Sequence, residues 1–166
     1  MLFKKRNEKQ KTSDVKKRAE RYVSIASEAT KLLQNDIANI PDNISGKDIE
    51  SMFVSLIMLL VASFAADVDG CLEMMPTYQR RLLLEEISES EYNRQTELIQ
   101  DRYSAFRAKA IESQQSADNW KPVFVKYMTE LIMNYIGLCG ANNEISNKID
   151  ALVRNISARI NPNVGL

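Results

Sequence analysis

The carboxylates of one short segment, AADVDGCLE (residues 65–73), come closest in type and spacing to a metal site. Three of them surround Gly70: Asp67, Asp69 and Glu73. An EF-hand calcium loop needs oxygen ligands at positions that include 1 and 12, with glycine at position 6. With Gly70 at position 6, position 1 is Ala65 and position 12 is Pro76, and neither supplies a carboxylate. The segment therefore predicts a solvated helix end closed by Gly70, and no metal site.

The same AADVDGCLE turn is similar, over fewer than ten residues, to the Ala-Asp-Gly turn of the TerB-like helical domains of tellurite resistance. Most of the acidic residues that such domains carry after this turn are absent here. The resemblance therefore implies no site residues in this chain.

A second carboxylate group lies in EEISESE (residues 85–91). Its members are Glu85, Glu86, Glu89 and Glu91. Paired carboxylates perform acid–base chemistry when burial separates their pKa values. This group stands where a helix could start, and acidic residues favour the positive end of a helix. We therefore expect a solvated face and no catalytic residues.

The remaining composition argues against an enzyme. The chain has no histidine and two cysteines, which removes Ser-His-Asp triads, Cys-His pairs and the common zinc sites. Its five glycines form none of the phosphate-binding or nucleophile motifs. We predict no enzymatic activity, no cofactor and no small-molecule substrate.

The charge of the chain is strongly uneven, although its net charge is zero. Residues 1–21 contain nine basic and three acidic side chains, so this segment carries +6 and the rest carries −6. Clusters of Lys and Arg bind the phosphates of anionic membrane surfaces or nucleic acids. The candidate partner-binding residues here are Lys4, Lys5, Arg6, Lys9, Lys11, Lys16, Lys17 and Arg18.

Apolar residues spaced by threes and fours predict that helices position all these side chains. The first helix is expected from Ser13 or Asp14 to Pro41, after a basic arm. A capping signature at Ser45 begins the second, which should run to about Asp69.

The later helices follow from similar signals. The third is expected after Pro76, and a capping signature at Ser88 leaves open whether residues 77–115 form one helix or two. The polar segment SQQSADNW predicts a connector, after which Pro122 suits a first helical turn. The last helix should begin near Asn142 or Asn143 and end at Pro162.

The uncharged segment SMFVSLIMLLVASFAA (residues 51–66) raises the question of a membrane span. A span needs ~20 apolar residues, whereas this run has 16 and is followed at once by Asp67. A helix that is apolar all round is otherwise buried in the centre of a bundle. The alternative is a helix that a second subunit covers. Met52 and Met58 keep this alternative open, because methionine suits adaptable interfaces.

We predict an all-α, single-domain bundle of five or six helices with one central apolar helix. The predicted ranges are a basic arm at 1–13, the bundle at 14–161 and a tail at 162–166. The predicted function is protein–protein contact, as an adaptor, chaperone-like or assembly subunit, with homo-oligomers expected. A peripheral module that uses the arm on an anionic membrane or nucleic acid is the alternative. The two cysteines favour a cytoplasmic location, and whether Cys71 pairs with Cys139 stays open.

Overall fold

The computed structural model describes residues 2–140 and 143–166, and their side chains from residue 11 onward. Every regular element in these ranges is helical, and the predicted all-α bundle is confirmed with six helices. Their bounds are α1 (Leu2–Asp36), α2 (Gly46–Leu60), α3 (Val68–Leu84), α4 (Glu89–Ser116), α5 (Trp120–Tyr135) and α6 (Asn143–Ile160). A π-helical turn at Val61–Ala65 continues α2.

The start of α2 is set by the predicted capping box. The Asp48 amide donates to the Ser45 hydroxyl at 3.1 Å, and the Ser45 amide donates to the Asp48 carboxylate at 2.9 Å. These two hydrogen bonds satisfy two backbone donors at the start of the helix. The two residues are only three positions apart, so this boundary can be recognised from the sequence.

α2 is the central helix of the bundle, as predicted. It packs against all five other helices, and Met52, Phe53 and Leu56 are among its fully buried side chains. Burying one such side chain contributes about 1.5–3 kcal/mol. Met52, a predicted partner-binding residue, has 0% exposure and so offers no surface to a partner in this conformation, and its role in partner binding stays a prediction.

The continuous central helix is longer than the uncharged run of residues 51–66. α2 and the π-helical turn together give 20 continuous residues, Gly46–Ala65, whose most apolar 18-residue stretch has a mean hydropathy of 1.8. Length and composition alone would allow this segment to cross a membrane, and 72% of its most apolar stretch is buried inside the fold. A core helix shows the same composition and the same burial.

The junction between α2 and α3 corrects the prediction that Gly70 closes the second helix. Ala66 adopts the left-handed conformation (φ 50°) and closes it four residues earlier. Asn161 donates to the Phe64 carbonyl at 2.7 Å and so satisfies part of the opened π-helical turn. Gly70 lies in the first turn of α3, where a Cβ atom would collide with the Asp67 carboxylate.

α1 is longer at its start and shorter at its end than expected. It begins at Leu2, so no helix boundary marks the predicted arm at residues 1–13, and it ends at Asp36, five residues before Pro41. Whether the arm moves independently stays a prediction. Met1 and the side chains of the basic residues before position 10 lie outside the described part of the chain.

Pro76 lies inside α3, which corrects the prediction that the third helix starts after it. An internal proline removes one helical hydrogen bond, here the one to the Leu72 carbonyl. Leu72 is 68% exposed, so water can solvate that carbonyl. The burial of Cys71 and Met74 in the turns before Pro76 offsets the loss.

Residues 77–115 belong to two helices, since α3 ends at Leu84 and Ser88 caps α4 through a hydrogen bond from the Glu91 amide at 3.2 Å. α4 extends to Ser116, so the predicted connector shrinks to residues 117–119. Pro122 lies in the first turn of α5 as predicted.

α1 and α3 run parallel to each other, and this arrangement positions the surface described below. Lys11 of α1 pairs with Asp69 at the start of α3, at 3.6 Å. Further along both helices, Arg81 donates to Ser27 at 3.4 Å. The basic segment of α1 therefore lies beside the start of α3, and the Glu85–Glu91 segment follows the end of α3.

Candidate functional site: paired carboxylates and an exposed apolar face

Asp67, the first carboxylate of AADVDGCLE, is a structural hub. Arg18 donates to its two carboxylate oxygens at 2.8 and 2.9 Å, Tyr22 donates at 3.0 Å, and the Gly70 amide donates at 3.0 Å. The Arg18 hydrogen bonds, more than the opposing effect of burial, lower the pKa of Asp67 to about 2. This carboxylate caps α3 and ties α1 to the α2–α3 junction.

The other two carboxylates of this segment point to separate partners. Asp69 pairs with Lys11 at 3.6 Å between exposed side chains, and Glu73 pairs with Arg80 at 2.7 Å. Within residues 2–140 and 143–166, no group of three or more Asp, Glu and Cys side chains is arranged to hold a metal ion.

The glutamates of residues 85–91 also differ in their surroundings and have no common partner or site. Glu85 pairs with Lys47 and with Arg81, and its pKa is lowered chiefly by the hydrogen bond from Lys47. Glu91 pairs with Arg94 at 3.2 Å. Glu86 and Glu89 are exposed.

Several of these pairs line a cleft of about 850 Å³ where α1, α3 and α4 meet the start of α2. The cleft also contains two carboxylates that were not among the predicted site residues, Asp48 of the capping box and Glu50. The Asp48 side chain is 4% exposed and pairs with Arg94 at 2.8 Å, while Glu50 pairs with Arg81 at 2.7 Å.

Asp48 shows how hydrogen bonds overcome burial. Burial raises the pKa of Asp48, but hydrogen bonds from Arg94, Gln95 and Ser45 outweigh it and bring the value to about 2. A carboxylate in this state is ionised at neutral pH and holds the helices around it together. The capping signature at Ser45 was visible in the sequence, whereas the contact with α4 joins residues more than 40 positions apart.

The predicted basic binding residues are in different situations. Lys16 and Lys17 are exposed and take part in no ion pair within the described residues, whereas Lys11 and Arg18 pair with acidic residues of the α3 start. The side chains of Lys4, Lys5, Arg6 and Lys9 lie outside the described residues. Met58 is partly buried, and its carbonyl accepts a hydrogen bond from the Cys71 thiol at 3.3 Å. Cys71 and Cys139 are both free.

The feature that sequence reasoning missed is an apolar stripe on the outer face of α3. It consists of Val68, Leu72, Pro76 and Leu83, with Met75 at its edge. Val68, Leu72 and Leu83 are 59%, 68% and 64% exposed, and at 100° per residue the four members lie within about 80° of one face. The spacing from Val68 could have revealed the stripe, but the expected helix start after Pro76 hid it.

Leu84, which is 84% exposed, extends the apolar surface toward α1. It lines a shallow groove between α1 and α3 together with Val23 and Thr77, and Leu72 lines the next depression along the same seam with Val15. Large apolar side chains thus stay in contact with water near both ends of α3.

Comparison of this chain with protein-family models, with curated proteins and with solved structures gives no match.

Proposed function

We propose that this chain is a non-enzymatic protein that acts by contact with another protein, through the apolar stripe of α3. The observation that carries the proposal is the exposure of Val68, Leu72 and Leu83 along one face of a helix whose opposite face is buried. Several exposed apolar side chains on one helix face are typical of interaction sites, whereas single exposed apolar residues are ordinary. The free thiols of both cysteines favour a cytoplasmic setting for this role.

The occupant that fits this surface is a helix with an apolar stripe of its own. The members of the stripe, Val68, Leu72, Pro76 and Leu83, follow one another at intervals of four, four and seven residues, which is the spacing that a facing helix can interdigitate with. The shallow groove between α1 and α3 borders the stripe and offers a place for the edge of such a helix.

The test uses the size of the complex that the full chain forms in extract of the cells that produce it. We expect native chromatography with immunodetection to show the wild type well above its 18.9 kDa monomer mass. The double variant Leu72→Glu with Leu83→Glu should elute as a monomer, because two charges would be buried without partners.

The matched control is Ile111→Glu, which changes another apolar side chain, 47% exposed, on α4. It should leave the elution volume unchanged, and thermal unfolding should show that all variants remain folded. A wild-type chain that elutes as a monomer, or a complex that persists in the double variant, would contradict the proposal.

A further inference from the structure

We propose that the partner on the apolar stripe of α3 is a second copy of this chain, docked antiparallel about a two-fold axis that passes near Pro76. This inference rests on the proposed function, since it names the occupant of the same surface. Two features of the described residues support it: the position of the stripe and the charges at its two ends.

The apolar side chains lie on both sides of Pro76. Val68 and Leu72 precede it, and Leu83 follows it near the other end of α3. A two-fold axis makes an interface self-complementary. If one residue of the first copy contacts a second residue of the other copy, the same contact occurs with the two copies exchanged. An antiparallel pairing centred on Pro76 places the Val68–Leu72 segment of one copy opposite residues 80–84 of the other.

The exposed charges outside the ion pairs differ in sign at the two ends of α3, since Asp67 and Asp69 at its start are already paired with Arg18 and Lys11. Lys16 and Lys17 of α1 lie near the level of the α3 start, because Lys11 contacts Asp69 and Arg18 contacts Asp67. Glu86 and Glu89 follow the α3 end. Antiparallel docking brings the basic end of one copy to the acidic end of the other, and the symmetry makes this contact twice.

A parallel pairing would place like charges together, which disfavours it. The same polarity extends to the whole chain, in which residues 1–21 carry +6 and the remainder carries −6. A second copy therefore supplies the complementary partner for both ends at once.

The size of the stripe requires these ends to take part. α3 has 17 residues and is about 25 Å long, and a face about 10 Å wide offers roughly 250 Å². A stable interface buries about 800 Å² on each partner. The missing area has to come from the flanking surfaces, which are the exposed residues 11–14, 16 and 17 of α1 and the α3–α4 turn.

The test is sedimentation equilibrium of the purified full chain. We expect a monomer–dimer equilibrium whose dissociation constant rises at least about tenfold in Leu72→Glu. The double reversal Lys16→Glu with Lys17→Glu should weaken the dimer by about tenfold, and Glu86→Lys with Glu89→Lys should do the same.

Combining the four reversals re-creates opposite charges at both ends, so the dissociation constant should return to within about threefold of the wild type. The control is Lys126→Glu with Lys148→Glu on α5 and α6, which makes the same change in net charge as the arm variant and should leave the dimer intact.

The possible failures are distinguishable. A purified chain that stays monomeric while the complex in cell extract still depends on Leu72 would overturn the second copy as partner and leave the proposed function standing. A dimer that the four combined reversals do not restore would overturn the antiparallel orientation, as would higher oligomers in place of a dimer. A complex in extract that is indifferent to Leu72 would overturn both proposals.

Discussion

Asp67 shows how one side chain can have several structural roles at once. Its carboxylate accepts from Arg18 and Tyr22 of α1 while it caps α3 through the Gly70 amide. A Cβ atom at position 70 would collide with this carboxylate, so a larger residue there would force Asp67 to shift from its hydrogen-bonding position. The segment that most suggested a calcium loop is therefore a joint between helices.

The pH dependence of stability should follow from Asp67 and Asp48. Both have a pKa of about 2 in the folded chain, against 3.8 for a free side chain. A lowered pKa stabilises the fold fully above about pH 3.8, and this stabilisation is lost as the pH falls through about 2. We expect the free energy of unfolding to fall by about 2 kcal/mol for each of these two carboxylates over that range.

Urea unfolding between pH 2 and pH 6 measures this loss. Asp67→Asn should be less stable at pH 6 and should show a flatter profile, whereas the exposed Asp42→Asn should follow the wild type. An unchanged slope in Asp67→Asn would show that its ion pair with Arg18 does not set the acid sensitivity.

At the scale of single residues, the sequence correctly predicted roles that depend on neighbouring residues. It missed roles that depend on residues far away in the chain. The capping residues Ser45 and Ser88 were identified correctly, because a cap needs only its own next three residues. The role of Asp67 depends on Arg18, 49 positions away, and a pattern of neighbouring residues does not report such a contact.

α3 is the element on which the sequence misled most. Pro76 predicted a helix start, yet α3 runs through it. Residues 68–75 of the helix precede the proline, and residues 77–84 follow it. Tertiary burial of Met74 and Cys71 outweighs the local cost of the proline. The consequence for function is that Val68 and Leu72 join Leu83 on one continuous face.

Replacing this proline should stabilise α3. Pro76→Ala restores the amide that can donate to the Leu72 carbonyl and removes a ring that strains the helix. The gain is reduced by the greater freedom of alanine in the unfolded chain, so we expect a net stabilisation of about 1–2 kcal/mol. Urea unfolding at low protein concentration measures it.

Pro162→Ala is the matched control, because Pro162 follows the end of α6 and interrupts no helix. It should change stability by less than about 0.5 kcal/mol. A destabilised Pro76→Ala would mean that α3 is shaped by the proline and that its apolar stripe depends on the resulting bend.

At the scale of the whole molecule, the bundle is organised around α2. Every other helix contacts it, and the ion pairs of Asp48 and Glu50 surround its first turns. Residues 51–61 of the uncharged run are buried by neighbours of the same chain, with Met58 only partly buried, whereas residues 62–66 are partly buried or exposed. The apolar helix face that the fold leaves exposed is therefore on α3, and not on α2, which is the helix with the most apolar composition.

The central position of α2 predicts a large effect of shortening its side chains. Phe53→Ala should cost about 3–5 kcal/mol, because the cavity is enclosed on all sides. Leu72→Ala, on the exposed stripe, should cost less than about 0.5 kcal/mol in the monomer. Chemical unfolding at concentrations below dimer formation measures both. Equal costs at the two positions would contradict the assignment of α2 to the core.

The apolar periodicity and the caps were sufficient to predict an all-α bundle with a central α2, because these properties depend on residues close in the chain. The joint at Asp67, the helical state of Val68–Met75 and the exposed stripe required the three-dimensional structure. Each depends on which distant helix supplies a partner or leaves a face uncovered, and burial among distant residues outweighed the local preferences of Gly70 and Pro76.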